Sequence, residues 1–145
     1  MMRDAVAAWR DLGLACELVP VAKAQYWQMV AGGEPEFFRF GWIADYPDAV
    51  NFFDLFYSGS GENLAHYQDA RFDSLFERAA GDTDPGHLAR LYHAMEDRLL
   101  ETMPAVFLHH DRNALLVRDE VRDFDLSVNP MWRRRYKYVW LASRG

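Results

Sequence analysis

Leu88, Leu91, Tyr92, Met95 and Leu99 recur at intervals of three and four residues between Pro85 and Pro104, and this stripe constrains the chain more than any other feature. Such spacing puts all five on one face of an α-helix. Pro85 suits a first turn, where its missing N–H costs nothing, and Pro104 ends the helix. A helix with one apolar stripe needs a second apolar surface to cover it. The preceding segment offers that surface: Phe72, Leu75, Phe76 and Ala79 stand at i, i+3, i+4 and i+7 behind Asp69, a candidate N-cap. Leu91, Met95 and Leu99 are expected to face the core with Phe72 and Phe76.

Upstream, Val6, Trp9, Arg10 and Leu12 have helical spacing closed by Gly13, and "LACELV" (14–19) reads as a short buried strand holding Cys16 as a small apolar residue. Tyr26, Trp27 and Val30 mark a helix over 23–31, "GGEP" a loop, and "FFRFGWIA" (37–44) the next strand. Helix, strand, helix, strand is the order of a parallel crossover unit, so the expected class is α/β. A short helix over 49–57 has Asp48 as its N-cap and stops at "SGSG". Beyond Pro104, "AVFLHH", "NALLVR" and "YKYVWL" have strand composition. With 145 residues, half of them apolar, the chain supplies one ordinary core and not two large lobes.

Composition narrows function by exclusion. A net charge of −6 opposes general affinity for phosphate backbones or anionic membranes. The cluster "WRRRYKY" (132–138) interleaves bases with aromatics, yet it stands alone in an acidic chain and reads as a solvated strand, so no nucleic-acid partner is expected. The lone Cys16 cannot form an internal disulfide. His87 and His93 are six apart, and His109 and His110 would point to opposite faces of a strand, so the spacing favours no metal. There is no Gly-x-Ser-x-Gly elbow or phosphate loop, and no cofactor is expected. No stretch reaches the roughly 18 apolar residues of a membrane-spanning helix. Asp4 and Asp11 interrupt any secretory signal in the opening residues. A Met-Met start directly before a helical pattern leads us to expect a fragment whose upstream part precedes it.

One carboxylate remains, at the end of an apolar run. "DYPD" is good turn chemistry, since Asp accepts a local N–H and Pro presets the turn, and Asp45 is then a turn residue in a structural module. If "RFGWIAD" is extended, however, Arg39, Gly41, Ile43 and Asp45 share one face, with Arg39 and Asp45 about 20 Å apart at ~3.3 Å per residue. A cation and an anion then flank a bare glycine where another backbone can come close. That suits a short peptide held as an added strand, its ammonium at Asp45 and its carboxylate within reach of Arg39. A third reading is a small hydrolase using Asp45 and Asp48 with a histidine.

The blocks "GWIADYPDAVNFF", "ENLAHYQDARFDSLFERA" and "LYHAMEDRLLETMPAVFLHH" resemble the C-terminal part of the oligopeptide-binding proteins of ABC importers, the extracellular solute-binding family 5, and "AWRDLGLACELV" resembles the helix and strand before that lobe. The resemblance implies a non-enzymatic, two-lobed α/β protein of the periplasmic-binding kind, located in the periplasm or otherwise outside the cytoplasm, that closes on a peptide and delivers it to a membrane permease. It implies that Asp45 binds the peptide α-ammonium, that main-chain groups of Gly41, Trp42, Ile43 and Ala44 pair with the peptide backbone, that Trp42 helps wall the cavity, and that Arg39 meets the carboxylate of short peptides. Residues 1–103 would be a portion of the ligand-binding lobe, and 104–145 strands returning toward a first lobe that this chain lacks. Such a chain leaves apolar surface exposed.

Overall fold

The computed structural model describes residues 2–110, 114, 116–124 and 136–142. The chain divides into two compact units, Met1–Val106 and Phe107–Gly145. In the first, the helices are α1 (Met2–Asp11), α2 (Lys23–Ala31), α3 (Val50–Phe53), α4 (Ala70–Ala80) and α5 (Pro85–Thr102), with a 3-10 turn, Asp54–Phe56, continuing α3.

Local chemistry sets the helix ends. Asp69 accepts the Phe72 N–H at 2.8 Å and Asp84 accepts the His87 N–H at 2.6 Å, each satisfying a first-turn donor. Pro85 occupies the first turn of α5. Past α1, Gly13 takes φ +86, a left-handed conformation that costs a side-chain-bearing residue more. Arg10 then folds back, its guanidinium donating to the Cys16 carbonyl at 2.8 and 3.2 Å.

Packing of α4 on α5 forms the core. Phe72 and Met95 are fully enclosed, with Leu91, Leu99, Ala79 and Phe56 buried around them. Phe76 is half-buried at the rim, stacked on Tyr57 with ring centroids 4.6 Å apart. Tyr67 closes one end, its hydroxyl 2.8 Å from Thr102 Oγ1. In the second unit, β1 (Val121–Arg122) pairs antiparallel with β2 (Trp140–Leu141), Val121 opposite Leu141 and Arg122 opposite Trp140. The Trp140 indole donates to Asp123 Oδ2 at 2.8 Å.

The described residues thus form a mainly helical structure with one small two-stranded sheet. The strands expected at 14–19, 37–44 and 105–110 are not assigned, and with them the crossover unit is missing. A strand exists through its ladder, and among the described residues no ladder is assigned to these segments. Tyr136–Tyr138 is a 3-10 turn, so the last strand shrinks to two residues. Cys16 is half-buried, not enclosed, because the segment carrying it is not covered by a sheet. Part of "NALLVR" and residues 132–135 of the basic cluster lie outside the described residues. Among the described residues no helix is long and apolar enough to cross a membrane.

Candidate functional site

The segment 37–45 lacks a ladder but keeps the alternation of an extended chain. Phe38, Phe40, Trp42 and Ala44 are half-buried, whereas Phe37, Arg39, Gly41, Ile43 and Asp45 are exposed. Along the packed side the rings touch in series: Phe38 meets Phe40 edge-on at 6.5 Å, and Phe40 stacks on Trp42 at 6.0 Å. Trp27 of α2 meets Phe40 edge-on at 6.1 Å, tying the segment to that helix. Arg39, Gly41, Ile43 and Asp45 therefore occupy the other side. A side chain built at Gly41 would touch nothing within 4 Å, so the approach to its backbone is open.

Main-chain groups of Gly41, Trp42, Ile43 and Ala44 make no hydrogen bond among the described residues. The segment is held at its ends instead. Tyr26 of α2 donates its hydroxyl to the Arg39 carbonyl. Burial pushes the Tyr26 phenol above its ordinary range, while the neighbouring Arg39 guanidinium pulls it down. At the far end Asn51 of α3 accepts two hydrogen bonds on one oxygen, from the Trp42 indole at 2.8 Å and from the Asp45 N–H at 2.9 Å.

Asp48, not Asp45, performs the local turn work. Its Oδ1 accepts the Val50 N–H at 2.9 Å and the Tyr92 hydroxyl at 2.8 Å. Burial first, and then this carboxylate, push the Tyr92 phenol up to about 12. The Asp45 carboxylate has no hydrogen bond or ion pair among the described residues, and the Arg39 guanidinium has no ion pair there. Asp45 and Asp48 thus differ in their contacts, Asp48 being engaged with Val50 and Tyr92. Of the histidines, His87 pairs with Asp82 and His93 lies 3.7 Å from Glu96, and neither contact involves Asp45 or Asp48. Among the described residues no group of three or more His, Cys, Asp or Glu is placed to hold a metal.

Asn51 is the residue that sequence reasoning passed over. Its signal was present: an amide enclosed by Val50, Phe52 and Phe53 must be buried with partners, because a buried polar group without them is costly. Two surface depressions, of about 410 Å³ beside Arg3, Arg10 and Leu18 and of about 300 Å³ beside Ser60, His66 and Tyr67, contain none of the candidate residues. Among the described residues, Gly41, Ile43 and Asp45 form an exposed edge.

Comparison with known proteins gives the arrangement its context. The chain is 28% identical over 122 residues to a di/tripeptide-binding protein 1 of Pseudomonas aeruginosa, covering 82% of this chain and 23% of that protein. It is 27% identical over 124 residues to di/tripeptide-binding protein 3 of the same organism, covering 83% and 23%. Over 80 residues it is 34% identical to the periplasmic oligopeptide-binding protein OppA of Escherichia coli, covering 55% and 15%. No family model matches the chain, and no solved structure matches it. The chain is therefore related in sequence to di/tripeptide- and oligopeptide-binding proteins, and it spans less than a quarter of the length of the curated relatives it matches, 23% of the two di/tripeptide-binding ones.

Proposed function

We propose that this chain is the C-terminal, ligand-holding portion of a two-lobed periplasmic binding protein that takes up short peptides and passes them to an ABC permease, without catalysing a reaction. Residues 1–103 belong to the ligand-binding lobe and 104–145 return toward the first lobe. In this reading Asp45 receives the peptide α-ammonium, the main chain of Gly41, Trp42, Ile43 and Ala44 pairs with the peptide backbone, and Arg39 meets the carboxylate of a short peptide. Trp42 contributes from behind, its ring forming the packed wall that supports the segment.

The observation that carries the reading is the exposed Asp45 carboxylate, unpaired among the described residues, closing an extended segment in which the main-chain groups of 41–44 have no partner there. Unpaired backbone N–H and C=O groups are a template for an added strand. A carboxylate at its end distinguishes an ammonium from other ligand termini. The names of the relatives, which specify di/tripeptide and oligopeptide binding, point to the same ligand class.

Calorimetric titration of the two-lobed protein with a di- and a tripeptide, with chromatography of the mixture afterwards, tests this. Saturable one-to-one binding with the peptide recovered intact is expected. Release of cleaved product, lost on Asp45→Ala, would replace the binding protein with a hydrolase.

A further inference from the structure

We propose that Asn51 is the positioning residue of the peptide-ammonium site, fixing the Asp45 main chain and the Trp42 side chain from a single oxygen atom. This rests on the peptide-binding reading above for its functional consequence, but its structural part stands alone. The Asn51 side-chain oxygen has two lone pairs, and both are used, by the Trp42 indole N–H at 2.8 Å and the Asp45 N–H at 2.9 Å. Both partners are donors, so the amide orientation is settled by chemistry.

The arrangement matters because the main-chain groups of residues 41–44 make no hydrogen bond among the described residues. In a sheet, ladder bonds would set the twist and direction of such a segment. Here a buried amide does so, gripping it at two points three residues apart. Asn51 is only 6% exposed, so water competes poorly for its oxygen. The helix that carries it is anchored in turn. Asp48, just before it, accepts the Val50 N–H and the Tyr92 hydroxyl from α5, and the Phe53 ring lies 5.6 Å from Tyr92 and 6.3 Å from Phe72. A path of direct contacts thus leads from the α4–α5 core through Tyr92, Asp48 and Asn51 to the backbone of Asp45. The carboxylate is free to meet a ligand while the atoms behind it are not free to move.

The test uses the two-lobed protein and Asn51→Ala. Site-resolved amide hydrogen exchange should show the Asp45 N–H exchanging about tenfold faster or more, with Met95 in α5 unchanged. Asn51→Asp retains an oxygen acceptor at the same place and should keep the protection. The preference for a free-amine tripeptide over its N-acetylated form should fall about tenfold in Asn51→Ala, because a displaced carboxylate loses the ammonium and not the peptide backbone. A uniform loss of affinity for both peptides would mean a general structural role and would overturn the proposal. So would an Asp45 N–H whose exchange rate does not change. If Asn51→Ala fails to fold, Asn51→Ser, whose oxygen falls short of both donors, is read in the same way. Should the unaltered protein bind neither peptide, the peptide-binding reading fails, while the exchange measurement still decides whether Asn51 holds the segment.

Discussion

The Asp69 carboxylate accepts the Phe72 N–H at 2.8 Å and the Arg98 Nε–H at 3.0 Å, joining the start of α4 to the last turns of α5. Arg98 also reaches Glu101 at 2.7 Å. The Arg98 guanidinium, and then the Phe72 N–H, hold the Asp69 carboxyl below its ordinary range. A depressed carboxyl stabilises the fold above its unfolded pKa, and that contribution disappears as pH falls through the folded value. Asp69→Asn keeps a cap acceptor but not the charge, so its stability deficit should be present at pH 7 and fade below about pH 4. Denaturant midpoints of both proteins at several pH values check this. Asp69→Ala removes the cap as well and should cost roughly 0.5 to 2 kcal/mol. Tyr92 works in the opposite sense. Its phenol is raised to about 12 in the fold, so the stability it contributes is intact below its unfolded value near 10 and is lost as pH rises between the two. Alkaline melts of Tyr92→Phe should lack that extra loss, and an identical alkaline limb would mean that the phenol is neither buried nor bonded to Asp48 in solution.

At the scale of elements, α4 and α5 carry the stability. Leu91 is 4% exposed against Phe72 and Met95, so Leu91→Ala should destabilise by about 2 to 5 kcal/mol in denaturant melts. A loss under about 0.5 kcal/mol would mean that the stripe faces solvent. These two helices were legible in the sequence because their signals are local: a capping carboxylate three residues before the N–H it accepts, an apolar repeat, a Pro at each end of α5. Residues 14–19 and 37–44 have strand composition just as plain, yet they form no strand, since a ladder depends on a neighbour that no local pattern supplies. Alternation survives at 38–44 where pairing does not, and it keeps Arg39, Gly41, Ile43 and Asp45 on one side as their spacing implied. Asn51 was harder to see, because a polar residue in an apolar helix announces burial without naming its partners.

For the whole molecule, unpaired segments and exposed apolar side chains coincide. Leu12 is 77% exposed, Val19 63%, Phe37 61% and Ile43 62%, and the main-chain groups of 17–19 and 41–44 make no hydrogen bond among the described residues. Such edges pair with whatever is available. The isolated chain is therefore expected to self-associate at micromolar concentration, as sedimentation velocity would detect, and a sharply monomeric, highly stable species would show that the chain satisfies itself. In the proposed two-lobed protein the same edge is the place for peptide. The most direct measurement there is a double-mutant cycle: calorimetric titration of the unaltered protein and Asp45→Asn with free and N-acetylated peptide. Asp45→Asn preserves shape, so the fold should persist while affinity for the free peptide falls by roughly 2 to 5 kcal/mol, the scale of breaking one partner of a buried charge pair. If carboxylate and ammonium touch, either change alone removes the interaction, and the two losses together should be much smaller than their sum. Losses that simply add would contradict the account and mean that Asp45 does not meet the peptide ammonium.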